Sequence, residues 1–244
     1  MILNLGPYGK AVEKSPPLFD VDGGTYDYAQ SVAEDGTVNW ELALLSGTDA
    51  TLTFRRVVDS VDVFLVAGGK PGGARSSQTA GTGGVGGGRK TSSGVAVETG
   101  TGYTFTVGGS GVDTSIFGKT ATSGGGASGG YGAKISESRT AAAGSAGAYA
   151  FGASTSLLYS GRKYGAGGGG GGYYEGNFNA NGAAGGTTGG GHGADRTHET
   201  KAKASGAANT GSGGGGAGTH VSYGEYYPAG DGGSGIIIIR NHRA

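Results

Sequence analysis

The sequence predicts a small all-β N-terminal domain followed by a glycine-rich bundle of packed polyglycine II helices with loops at its ends. Three observations carry this expectation. Glycine supplies 60 of the 244 residues but is unevenly placed, with six in residues 1–66 and 54 in residues 67–244; the usual share is about 7%. Residues before the border alternate apolar and polar at a period of two, the mark of half-buried strands. Apolar runs also sit inside the glycine-rich region, where a solvated linker has no use for them.

Taken in order, residues 1–17 read as an N-terminal extension and residues 18–67 as a β-domain. Thr37–Leu45 sets Val38, Trp40, Leu42 and Leu44 on one face, and Leu52 and Phe54 repeat the pattern in the next strand. Trp40 is the only tryptophan and reads as a core anchor. Val57–Val66 is more continuously apolar, as expected of a strand buried on both faces.

Residues 68–235 hold glycine tracts at 68–74, 81–90, 124–133, 165–172, 182–194 and 211–218. Glycine recurs at i and i+3 in Gly81–Gly84–Gly87, Gly126–Gly129–Gly132, Gly165–Gly168–Gly171, Gly213–Gly216 and Gly230–Gly233. A polyglycine II helix has the three-residue turn of polyproline II, with its backbone groups pointing outward. Packed side by side, such helices can satisfy one another's N–H and C=O groups, provided the facing rows lack side chains. Collagen would need strict Gly-X-Y and abundant proline, but only Pro71 and Pro228 follow residue 67. An RNA-binding tail would carry Arg-Gly-Gly repeats, and no arginine here precedes two glycines. A disordered linker does not explain Tyr103, Phe105 and Val107 in alternation, nor Ile236–Ile239. That isoleucine run demands burial and a partner strand such as Val61–Val66, so residues 236–240 are expected to join the β-domain.

Eighteen basic and eighteen acidic residues cancel, which leaves no field to hold nucleic acid. No stretch approaches the length of a bilayer span, so membrane insertion is not expected. The N-terminus lacks the pattern of a signal peptide, and a role outside the cell would follow from lysis or from an assembled particle. With no cysteine and with His192, His198, His220 and His242 at no ligand spacing, neither metal nor other cofactor is expected. Residues 111–120 end like a phosphate-binding loop, but six residues separate Gly111 from Gly118 where four are required. GTGGVG at 81–86 fits the dinucleotide pattern, a chance match at this glycine density. No nucleophile, base and orienter can be assembled, and no enzyme is expected.

Four segments carry a resemblance: VDVFLVAGGKPGG (61–73), TGTGYTFTVGGSG (99–111), GAANTGSGGGGAG (206–218) and GGSGIIIIRN (232–241). Together they resemble the glycine-rich domain family of bacteriophage and prophage tail proteins. The likeness spans roughly residues 39–242. The architecture also resembles tail-fibre-tip adhesins built on polyglycine II stacks. This resemblance implies a tail-fibre or tail-tip adhesin of the virion. Its loops would bind a bacterial surface receptor, glycan among the options, and its other partners would be tail or particle proteins, with a homo-oligomer allowed. A purely structural tail protein is the second reading, and an ice-binding protein the third.

The segments between tracts concentrate tyrosine with asparagine, serine and glycine, the composition of adaptable binding loops. The candidate receptor-binding residues are Tyr173, Tyr174 and Phe178, then Tyr223, Tyr226 and Tyr227, with Tyr159 and Tyr164 beside them. The competing role for any of them is to cover bundle edges that glycine cannot.

Overall fold

The fold is all-β, and a computed structural model describes residues 18–32, 38–56, 58–150, 159, 162–195 and 204–241. The extension 1–17, Val57, His198 and His242 lie outside the described residues. The strands are β1 (Phe19–Val32), β2 (Val38–Phe54), β3 (Ser60–Val66), β4 (Arg89–Ala96), β5 (Gly102–Phe105), β6 (Thr114–Ile116) and β7 (Lys119–Ala121). They continue with β8 (Ala148–Tyr149), β9 (Lys163–Tyr164), β10 (Tyr173–Glu175), β11 (Phe178–Ala180), β12 (Gly218–His220), β13 (Glu225–Tyr227) and β14 (Ile236–Asn241).

The largest sheet runs β1-β2-β14-β3-β4, with β5 also on β2. Strand β2 is its spine. It pairs with β1 along one edge, and on the other it meets β14 through residues 41–44 and β5 through residues 50–53. The isoleucine run lies at the centre, antiparallel to both neighbours, with Ile236 opposite Val66 and Ile239 opposite both Val63 and Leu42. Alternation divides its side chains between two cores. Ile237 and Ile239 pack with Trp40, Leu42, Phe54 and Phe105, whereas Ile236 and Ile238 pack with Phe64, Val66 and Tyr164. All four are fully buried, each contributing about 1.5–3 kcal/mol of apolar burial. Arg240 continues the second face, opposite Glu41 on one side and Asp62 on the other, 3.5 Å from the Asp62 carboxylate.

The compositional border at residue 67 is not a packing border. Strands β4, β5 and β14 come from beyond it, and Val107, Ile116 and Ala121 enter the first core. Strand β4, RKTSSGVA, shows no apolar alternation because it is mostly exposed at the sheet edge.

The glycine tracts are neither strand nor α-helix, and their backbone bonds repeat every three residues. Gly81, Gly84 and Gly87 donate to Ala217, Gly214 and Gly211, at 2.8, 2.7 and 2.6 Å. Ala80, Gly83 and Gly86 donate on another side to Ala133, Gly130 and Ala127. Gly73, Lys70 and Ala67 in turn donate to Thr82, Val85 and Gly88. Within residues 80–88 the two side chains larger than alanine, Thr82 and Val85, are themselves three apart and face outward, exposed and half-buried. Tract 165–172 is enclosed more completely. It exchanges bonds with segments around Gly81–Gly84, Ala127–Ala133, Ala142–Ser145, Ala183–Gly186, Gly191–Ala194 and Gly213–Gly216. Those contacts leave no room for side chains. A Cβ at Gly168 would overlap the Gly214 carbonyl, and one at Gly129 the Gly83 carbonyl.

Two outcomes test this packing. Gly168→Val and Gly129→Val should each cost about 3 kcal/mol or more in urea unfolding, since backbone must move. Gly109→Ala should stay within about 0.5 kcal/mol, because Gly109 is exposed and a Cβ there meets nothing within 4 Å. Equal costs would remove the packing argument. Hydrogen exchange should show the amides of Gly81, Gly84 and Gly87 strongly protected, although composition alone suggests a linker; rapid exchange there contradicts the bonding pattern.

Candidate functional site

The bond registers define two ends. Ala67, Gly88, Gly165 and Gly211 lie next to the large sheet, and Gly73, Ala80, Ala133, Gly172 and Ala217 lie at the far end. Segments 74–79, 134–141, 173–181 and 218–229 therefore turn over together at the far end. Two of them combine into a second sheet, ordered β11-β10-β12-β13, in which β10 and β12 pair in parallel with Tyr173 opposite Thr219. The aromatic clusters at 173–178 and 223–227 thus share one end.

Sharing an end does not make each ring available. Tyr173, Tyr174 and Tyr227 are only 0%, 4% and 6% exposed, which corrects the expectation that they face a receptor. Tyr173 packs on Ala80, Ala133 and Ala180, with half-buried Phe178 against it, covering backbone that glycine leaves bare. Its hydroxyl lies 2.6 Å from the Ser77 carbonyl oxygen and 2.8 Å from Glu175 Oε2, its one proton shared between the two acceptors. Tyr174 donates to Asn181 and stacks parallel on His220, their centroids 5.2 Å apart. Tyr227 donates to Glu225 at 2.8 Å.

Tyr164 and Tyr159 sit elsewhere. Tyr164 is buried against Phe64 under the second face of the large sheet, its hydroxyl on the Tyr159 carbonyl. Half-buried Tyr159 donates to Asp27. Both of these candidates pack against the large sheet, away from the end that gathers the other six. Burial raises the pKa of each hydroxyl.

Tyr223 and Tyr226 do face solvent, 73% and 62% exposed. Tyr223 ends the short 3-10 turn Val221–Tyr223 and leans on His220, with centroids 4.5 Å apart. Tyr226 carries the Arg75 guanidinium over its ring, 3.7 Å from the centroid. Beside them opens a cleft of about 580 Å³ lined by Arg75, Ser76, Ser77, Tyr226, Tyr227 and Pro228, among others. A second cation–aromatic pair lies at this end, with Arg139 4.9 Å from the centroid of half-exposed Tyr131.

Arg75 is the residue that sequence reading missed. Its segment, ARSSQT, bridges two tracts as the tyrosine-rich segments do, but has no aromatic residue of its own. Among the described residues no three histidine, aspartate or glutamate side chains gather as for a metal, and no helix is long and apolar enough to cross a membrane. His192 keeps its Nδ1 2.8 Å from the Gly193 carbonyl oxygen.

Among known proteins, a family model described as a glycine-rich domain matches residues 45–242. No curated protein matches the chain.

Tyr173 gives the far end a pH signature. Burial first, then the Glu175 hydrogen bond and charge, push its pKa from 10.0 up to about 12. The folded chain thus holds this proton more tightly than the unfolded chain. The stability involved is whole below pH 10 and is lost as pH climbs through about 12. Melting curves across that window should fall less steeply for Tyr173→Phe than for the wild type; parallel curves would show that this hydroxyl is not coupled to folding.

Proposed function

The chain belongs to the glycine-rich domain family, and on that premise we propose that it is a non-catalytic adhesin of a phage or prophage tail. In this reading the tracts are polyglycine II helices packed as a scaffold, and the far-end loops meet a bacterial surface receptor. The scaffold part is supported by the period-three bonding, by the six segments bonded around tract 165–172 and by the outward spacing of Thr82 and Val85. Each is what a threefold extended helix requires of its neighbours.

One observation carries the binding part. Tyr223, Tyr226, Arg75 and Tyr131 are gathered at the end opposite the large sheet. Exposed tyrosine and arginine are the side chains that dominate recognition surfaces. Backbone bonded on every side holds them, so little conformational freedom is left to lose on binding. The large sheet, which includes β1 and β14, is then the end that mounts on other tail or particle proteins, and the virion is the place of action. A structural tail protein without a receptor of its own is the remaining reading; it leaves the open rings of Tyr223 and Tyr226 without a role.

The test is attachment. Labelled protein is applied to a panel of enteric bacterial strains, and any strain that retains it is then challenged with Tyr223→Ala/Tyr226→Ala. Retention should drop at least about tenfold, because two exposed anchors cost more than 1.4 kcal/mol together. Melting temperature should move by no more than about 2 °C, since neither ring is buried. Retention unchanged by the double variant, or by no strain at all, rejects the adhesin and leaves the structural reading.

A further inference from the structure

Arg75 is held in an unusual state for a half-exposed cation. Its guanidinium lies on the Tyr226 ring, and among the described residues it forms no ion pair. The carboxylates of the neighbouring strands make no ion pair with it: Glu175 accepts from the Tyr173 hydroxyl and Glu225 from the Tyr227 hydroxyl, each keeping its charge. Its loop is also fixed: the Ser77 carbonyl accepts from buried Tyr173, and Ser76 N–H donates to Thr79 at 2.8 Å. The result is a positioned positive charge on the wall of the cleft.

The guanidinium, its Cζ 3.7 Å from the Tyr226 centroid, has no hydrogen-bond partner among the described residues, so its N–H donors stay available. That arrangement suits two parallel bonds to a carboxylate or to a phosphate or sulfate oxygen pair. The remaining features favour a sugar as the carrier of that group. Ser76 and Ser77 are exposed in the cleft wall, and hydroxyls match hydroxyls as donor and acceptor alike. Tyr226, 62% exposed, has ring surface left over beyond the part that Arg75 covers. The space, about 580 Å³ and largely open to solvent, has the volume of a small-ligand site.

We infer that this cleft takes an acidic saccharide, with Arg75 binding its anionic group and the Tyr226 ring lying against its apolar face. The inference rests on the adhesin reading and adds to it the chemical class of the receptor. Attraction to a single exposed-side cation is screened by salt, so binding weakens as ionic strength rises.

The experiment applies the full chain to an array of defined glycans containing matched pairs that differ only in a carboxylate or phosphate. Acidic members should be retained over their neutral partners, and comparing carboxylate with phosphate pairs tells which anion is preferred. Arg75→Gln should lower that retention on the order of tenfold. Arg75→Lys should lower it less, keeping the charge but losing the fork. Equal retention of neutral and acidic partners overturns the inference, as does retention that Arg75→Gln leaves unchanged in a protein with wild-type melting temperature. Attachment to cells that depends on Tyr223 and Tyr226 while no glycan is retained also overturns it, pointing to a protein receptor with the adhesin reading intact. Loss of both cell and glycan binding from the wild type fails the adhesin reading itself.

Discussion

A backbone hydrogen bond between tracts, repeated every third residue, is the interaction on which the rest of this structure depends. Buried N–H and C=O groups are costly when unpaired, and the glycine-rich half has few side chains to bury in compensation. Tract 165–172 meets that requirement by exchanging bonds on every side, including Gly168 to Gly84 at 2.9 Å and Gly169 to Gly191 at 2.9 Å. Glycine is thereby required for close approach. From Gly167 to Gly171, each added Cβ would run into a backbone carbonyl of one of three neighbouring segments. The entropy lost in ordering so much glycine is large, which is why these tracts do not stand alone.

What orders them is the large sheet. Ala67 follows β3, Arg89 opens β4 directly after Gly88, and Gly235 leads into β14. Three tracts are therefore pinned at one end by strands with conventional apolar cores. The pinning is non-local, because the last strand of the described chain inserts between β2 and β3. Closing the sheet in this way brings the ends of the glycine region together and sets the register from which the period-three bonds propagate.

This division explains what the sequence makes legible. Strands that bury a face announce themselves: Trp40, Leu42 and Leu44 do so by alternation, and Ile236–Ile239 by length and β-branching. Strand β4 is silent, since an edge strand with both faces mostly wet has no pattern to show. The far-end segments can be recognised as connectors, but not the fate of each ring. Tyr173 and Tyr174 are adjacent and both buried for unrelated reasons, one over alanines at the tract ends and the other against His220. Tyr226 is exposed while its neighbour Tyr227 is not. Such distinctions depend on which tracts lie side by side, and a repetitive composition encodes that weakly. Arg75 escaped notice for the same reason, because its partner Tyr226 is 151 positions away in the chain and is brought near only by tract packing.

The same geometry separates what can vary from what cannot. In a β-strand a one-residue slip exchanges the two faces. On the polyglycine II reading proposed above, a slip turns every position of a tract by a third of a turn, about 120°, which would swing Thr82 and Val85 from the outer surface into neighbouring backbone. Insertions are thus excluded from the tracts, whose lengths and registers are locked to one another. The connectors at the far end carry no such constraint, since they leave the last inter-tract bond and re-enter at the next. Outside the paired strands β10–β13 and the buried rings of Tyr173, Tyr174 and Tyr227, segments 74–79, 134–141, 173–181 and 218–229 can change length and composition while the bonds beneath them stay in place. A scaffold of this kind confines variation to one surface, and that surface is where the open tyrosines and the Arg75 cleft lie.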